Sequence, residues 1–190
     1  MIKKGKIFII SGPSGSGKTT LYKKLLAHNK KLVKSISVTT RPRRPGERHG
    51  RDYYFVSLKK FLYMKRAGHF LESQKVFDNY YGTPYKNVND LLKRDRNILL
   101  CIDVKGAQVV CQKFPTAVSI FIKTPSMAIL RKRLKNRTAG GKDNLRLRLE
   151  TARKELREAK NYDYIVVNDQ LKVAYQNLKA IVYSKTQNKN

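Results

Sequence analysis

Gly12-Pro13-Ser14-Gly15-Ser16-Gly17-Lys18-Thr19 follows the spacing GxxxxGK[ST], a set of residue types suited to gripping a polyphosphate. Glycines let a short loop wrap its backbone N–H groups around an anion at close range, where larger side chains would collide with it. The lysine then reaches the β- and γ-phosphates as a point charge, and the hydroxyl that follows ligates Mg²⁺. The chemistry implied is phosphoryl transfer from a magnesium-bound nucleoside triphosphate. Lys18 carries the charge and Thr19 the metal.

Such a loop works only between a strand and a helix, and the flanking residues supply both. Residues 7–10 form an apolar run that reads as a buried strand, while Leu21, Leu25 and Leu26 repeat at helical spacing, so the helix N-terminus points its partial positive charge at the anion. A glycine-rich strand-to-helix turn without a ligand is the alternative, and that context argues against it. Further strand-like runs at 98–102, 117–122 and 164–167 are separated by segments long enough for crossover helices. That alternation predicts an α/β fold, a parallel sheet flanked by helices. Among the helices, Leu145, Leu149, Ala152 and Leu156 mark one apolar face, and Pro125 and Ser126 open a helix toward Leu130 and Leu134. Leu171, Ala174, Tyr175, Leu178 and Val182 mark the last, whose polar tail after Tyr183 is expected to fray.

Two stretches break the pattern. Residues 38–52 carry arginines, prolines and glycines with almost nothing to bury and read as a loop; residues 53–83 read as a β-rich excursion with a helix over 58–67 closed by Gly68. This insertion is a place for a second substrate. Farther on, Ala139-Gly140-Gly141 interrupts two helices that bear Arg131, Arg133 and Arg137 on one side and Arg146, Arg148 and Arg153 on the other. Arginines on a hinged lid suit a transferring phosphoryl group, whose catalysis rests on positioning and charge neutralisation; a solvated basic helix pair would share this pattern.

Composition limits the remaining classes. The 190 residues suffice for one domain, and 42 basic against 13 acidic side chains give a formal charge of +29. The basic residues are spread through the chain, which favours a solvated lysine-rich surface, with nonspecific nucleic-acid binding at low salt as the alternative. No run of 18 apolar residues exists, so no membrane span and a cytoplasmic location are expected. Cys101 and Cys111 form no CxxC pair, and His28, His49 and His69 show no metal-ligand spacing.

A longer series of motifs carries a resemblance. Ser37-Val38-Thr39-Thr40-Arg41-Pro42-Arg43-Arg44-Pro45-Gly46-Glu47 is followed by Tyr53-Tyr54-Phe55, Phe70-Leu71-Glu72, Tyr80-Tyr81-Gly82-Thr83, Ile102-Asp103-Val104-Lys105-Gly106, Arg133-Leu134, Arg148-Leu149 and Val167-Asn168-Asp169. With the phosphate loop, this order closely resembles guanylate kinase, from about residue 6 to 182. The resemblance implies transfer from ATP, with Mg²⁺, to GMP, with dGMP as a further acceptor. It implies Arg41, Arg44, Tyr53 and Tyr81 on the GMP phosphate, Glu72 accepting from guanine N1 and N2, and Ser37 and Thr83 donating to O6. It further implies Asp103 near GMP and the metal's water shell, Thr20 and Asn168 with the loop on ATP, and Lys18, Arg44, Arg137 and Arg148 on the phosphoryl in flight. The expected organisation is one domain, with a core of 1–36, 84–130 and 160–184, a GMP-binding insertion of 37–83 and a lid of about 131–159. Cys101, Lys105, Arg43 and the glycine-bearing lid depart from the family pattern, which bears on metal affinity and lid dynamics. A guanylate-kinase-like interaction module is the competing class, but such modules have eroded phosphate loops and this loop is whole.

Overall fold

The computed structural model describes residues 5–136 and 142–186. Its centre is a five-stranded sheet built from β1 (Ile7–Ser11), β2 (Leu32–Lys34), β7 (Asn97–Cys101), β8 (Val118–Lys123) and β9 (Tyr164–Val167). The order is β2-β7-β1-β8-β9, every neighbouring pair parallel. Helices α1 (Lys18–His28), α3 (Tyr85–Lys93), α4 (Val104–Lys113), α5 (Met127–Lys135), α6 (Lys142–Arg157) and α7 (Leu171–Thr186) accompany it, with a 3₁₀ turn at Glu158–Asn161. The α/β reading holds.

The unbroken apolar run of β1 is explained by burial on both faces. Phe8 and Ile10 join Leu21 and Leu25 of α1 and Ala174, Leu178 and Val182 of α7 on one side. Ile7 and Ile9 join Val88 of α3 and Ala107 and Val110 of α4 on the other. Because the chain passes from β7 to β8 across β1, the C-terminal end of β1 lies at a switch of strand order, where open α/β sheets leave a crevice.

A second sheet lies within the 37–83 stretch: β4 (Tyr54–Phe55), β3 (Val38–Thr39), β6 (Asn79–Pro84) and β5 (Phe70–Val76), in that order. The helix α2 (Leu58–Arg66) begins where the Ser57 hydroxyl accepts from the Lys60 N–H at 3.2 Å, and it buries Phe61.

Three expectations need correction. Residues 38–52 are not loop throughout, since Val38 and Thr39 pair with β4 and β6. The edge strand β2 was not foreseen, because only Leu32 of its three residues is buried. The last helix does not fray after Tyr183 but runs to Thr186: Ser184 and Thr186 hydroxyls donate to the carbonyls of Ile181 and Tyr183, and Lys6 Nζ donates to the Lys185 carbonyl at 3.0 Å. The bonds to Tyr183 and Lys185 occupy carbonyls that a free helix end leaves open. Among the described residues no helix is long and apolar enough to cross a membrane.

Candidate active site

The loop from Gly12 to Gly17 joins β1 to α1 and folds on itself. Ser16 N–H donates to the Pro13 carbonyl at 3.1 Å, and Lys18 Nζ donates to the carbonyls of Gly12 at 2.5 Å and Pro13 at 2.9 Å. Gly17 is the N-cap of α1 with φ of 92°, and a Cβ there would overlap the Asn168 amide nitrogen. That amide donates to the Ser16 carbonyl at 2.8 Å. Asn168 is buried behind the loop, fixed further by its own N–H on the Lys123 carbonyl at 2.7 Å. Asn168 thus braces the backbone on which phosphates would rest. Thr19 and Thr20 open the first turn of α1 with exposed side chains.

Across the crevice, Glu72 stands opposite Thr83 in the β5–β6 pair, beside a register shift after Phe70 of the kind that re-aims a side chain. Glu72 is only 5% exposed. Its Oε1 accepts from the Thr83 hydroxyl at 2.6 Å, whereas Oε2 is buried with no hydrogen-bond partner. Burial pushes the carboxyl up to about 7; the Thr83 bond opposes that rise and Asp103 adds to it. A buried carboxylate oxygen without a donor costs stability, so it is suited to a ligand that brings one.

The first turn of α4 completes this corner. Asp103 is its N-cap, with Oδ1 accepting from the Gly106 N–H at 3.0 Å. A Cβ on Gly106 would stand 2.6 Å from Glu72 Oε2, so only glycine lets the carboxylate approach the helix so closely.

Arg41 is tied to a carboxylate. Its Nη2 donates to both oxygens of Glu47, at 2.8 and 2.9 Å, and its guanidinium lies 5.6 Å from the Tyr53 ring centre. Burial works against its charge, but Glu47 and Tyr81 together more than offset this and hold Arg41 above its ordinary range. Tyr53 and Tyr81 pack edge to face at 6.1 Å, and burial pushes the Tyr53 phenol up to about 12. Ser37 lies beside them, its carbonyl accepting from the Tyr54 N–H at 2.9 Å. Arg44 is exposed, and with Arg43, Arg48 and Arg51 it lines an open basin of about 670 Å³. Arg148, on α6, lies 4.8 Å over the ring of Phe77 at the tip of the β5–β6 hairpin. Arg137 and Ala139-Gly140-Gly141 lie outside the described residues.

Cys101 closes β7. Burial pushes up the Cys101 thiol while Lys18 draws it down, and Cys101 in turn acts on Tyr53. Three participants were not foreseen. Glu47 gave a signal in its place six residues after Arg41 in an arginine-rich loop; Gly106 gave none, because its neighbour Glu72 is remote in sequence. Glu155, on α6, looked like part of a charged helix face, yet burial pushes its carboxyl up to about 7, with Lys18 drawing it down and Asp103 pushing it up. No three His, Cys, Asp or Glu side chains cluster as a metal site among the described residues.

Comparison with known proteins gives the family. The family model described as guanylate kinase matches residues 4–185. A guanylate kinase of Rickettsia bellii is 40% identical over 187 residues, 98% of either chain. One of Syntrophomonas wolfei is 45% identical over 185 residues, 97% of this chain and 95% of its own. The crystal structure of guanylate kinase from Anaplasma phagocytophilum superposes with a TM-score of 0.81 at 34% identity, over 99% of this chain and 89% of that one. Because the pattern spans nearly the whole chain and both relatives reach at least 40% identity, the chain belongs to the guanylate kinase family.

Proposed function

We propose that the chain transfers the γ-phosphoryl group of ATP to GMP, giving ADP and GDP, with GMP seated between the second sheet and the first turn of α4. The observation that carries this reading is the Glu72 carboxylate, buried, half-satisfied by Thr83 and unpaired at Oε2. Guanine offers two adjacent donors, N1–H and N2–H, to such a group; adenine offers a lone pair at N1. Leaving Glu72 against that lone pair would cost roughly 1 to 3 kcal/mol or more, because the acceptor is charged. Ser37 faces O6 in this reading, joined by Thr83 when its one hydroxyl proton turns from Glu72 Oε1 to the base, and Arg41, Arg44, Tyr53 and Tyr81 hold the 5′-phosphate. Glu47 aligns the Arg41 guanidinium and is released from it, in part, as phosphate takes up the fork.

The loop from Gly12 to Thr19 binds ATP in this reading, Lys18 leaving its loop carbonyls for the β- and γ-phosphates, with Thr20 and Asn168 supporting the donor side. Mg²⁺ suits the donors present: the exposed Thr19 hydroxyl is a hard oxygen next to Lys18, and the Asp103 carboxylate would act through water. When bound, the ion neutralises charge on the β- and γ-oxygens. Arg44, Arg137 and Arg148 share that task on the group in flight. No strong base is required, since the attacking GMP phosphate is already largely ionised near neutral pH.

Inosine monophosphate, which lacks the N2 amino group, isolates the carboxylate. Calorimetric titration is expected to show it binding about tenfold or more weakly than GMP, the loss of one charge-assisted hydrogen bond. Equal affinities would refute the assignment of Glu72. Gly106→Ala should push Glu72 aside and raise the KM for GMP about tenfold with the KM for ATP unchanged. Steady-state kinetics with each substrate varied in turn checks this, and an unchanged GMP curve would contradict it.

A further inference from the structure

The hairpin of β5 and β6 carries Glu72 and Thr83 near its base, and its last pair, Val76 with Asn79, leaves a loop of two residues, Phe77 and Asp78. Of the two, Phe77 alone has a positive φ, 54°. Glycine suits the first loop position of such a turn, and a residue with a bulky ring is strained there. Over that ring stands Arg148 of α6, its guanidinium carbon 4.8 Å from the ring centre. Both side chains are half-buried. Arg148 follows Leu145 by three residues and precedes Ala152 by four, so it leaves α6 beside the apolar face that packs on Leu130 and Leu134 of α5. The contact therefore joins the sheet that bears Glu72 to the α5–α6 pair. A ring face attracts a guanidinium through its quadrupole but offers no oxygen to compete with phosphate for the N–H donors. Arg41 differs, since its Nη2 donates to the Glu47 carboxylate. Phe77 fixes its cation without adding a counter-charge.

We propose that Phe77 is a positioning residue for phosphoryl transfer: its ring docks the Arg148 guanidinium on the hairpin that carries Glu72 and Thr83, so that the cation on α6 is aimed from the acceptor side. The strained turn is kept because glycine, at ease in that backbone, has no ring face to offer. The proposal rests on the reading of Arg148 as a cation for the group in flight.

The full-length protein is compared with its Phe77→Leu, Phe77→Gly and Phe77→Trp variants, each also combined with Arg148→Ala, in single turnovers with Mg-ATP and saturating GMP. Leucine keeps most of the bulk and the same backbone demand but has no ring face, and it is expected to slow transfer about tenfold. Glycine, which suits the backbone, should slow transfer as much, whereas tryptophan should stay within about twofold of the wild type. In the Arg148→Ala background the changes at Phe77 should cost no more than about twofold, because their effect passes through the guanidinium. GMP affinity by calorimetry should stay within about twofold throughout, which also reports on the fold. Wild-type rates in Phe77→Leu and Phe77→Gly overturn the proposal. So do equal losses in Phe77→Leu and Phe77→Trp, losses that multiply independently in the double variants, or rates that fall only in step with GMP affinity. Absence of transfer in the wild type, or an undiminished rate in Arg148→Ala alone, would instead overturn the reading of the site, and the proposal with it.

Discussion

Lys18→Ala is expected to lower kcat by about three orders of magnitude or more while leaving GMP affinity unchanged. Phosphoryl transfer gives the protein little covalent work; it gathers negative charge on oxygens that must be neutralised where it develops. Lys18 is the charge delivered by the loop itself, held at the start of α1 by carbonyl bonds to Gly12 and Pro13. Alanine removes that charge and leaves the backbone cradle, which Asn168 braces independently through Ser16. Arginine is no substitute, since its planar fork differs in shape from an ammonium and the loop is built for a point charge. The GMP groups belong to other elements, so calorimetric binding of GMP serves as the control for folding. Single-turnover measurement with Mg-ATP checks the chemical step. A loss smaller than about tenfold would mean that Lys18 is not what stabilises the transferring group.

Glu72→Gln is expected to move affinity and stability in opposite directions. An amide cannot accept from both guanine donors, so the KM for GMP should rise about a hundredfold and the preference over AMP should shrink with it. Stability follows from the raised carboxyl. Glu72 titrates at about 7 in the folded chain against an ordinary 4.5, so between those values the folded state holds more protons than the unfolded state. Stability therefore falls as pH rises from 4.5 to 7 and stays at the lower level above it. Glutamine does not ionise. The variant should show no such decline and should exceed the parent above pH 7 by about 1 to 3 kcal/mol. Thermal melts of ligand-free protein at pH 5 and pH 8 test this: the variant's advantage should appear at pH 8 and fade at pH 5. An advantage equal at both pH values would show that burial of the charge is not its cause. The same linkage makes GMP binding weaken below pH 7, because the bound base requires the ionised form.

Much of the donor side was legible in sequence because it is local. Eight consecutive residues specify the phosphate loop, and the neighbouring strand and helix announce themselves by apolar spacing. Helix starts were similarly readable: Ser126 accepts from the Ile129 N–H at 3.3 Å, as its place before an apolar series implied. The expectations for an acceptor side came only from the ordered family motifs, since Glu72 and Thr83 meet through the pairing of β5 with β6 and lie eleven residues apart. What escaped notice was long-range or disguised. Nothing near Gly106 in sequence announces that Glu72 needs its missing side chain. Val38–Thr39 is too short to show strand periodicity, and β2 is an edge strand whose Val33 and Lys34 stay partly exposed. Glu155 sits among lysines and arginines on a helix that is mostly solvated, so its inward direction emerges only from the packing of Ala152 and Ala159.

The central claim is that GMP is chosen through the unpaired oxygen of Glu72 and that its 5′-phosphate takes the γ-phosphoryl group of ATP held on the Gly12–Thr19 loop. A coupled assay of ADP release, run with Mg-ATP and with GMP, AMP, CMP or UMP as acceptor, tests it most directly. The account predicts rapid turnover with GMP and a kcat/KM for AMP lower by about a thousandfold or more. No turnover with GMP, or equal turnover with AMP, would contradict it.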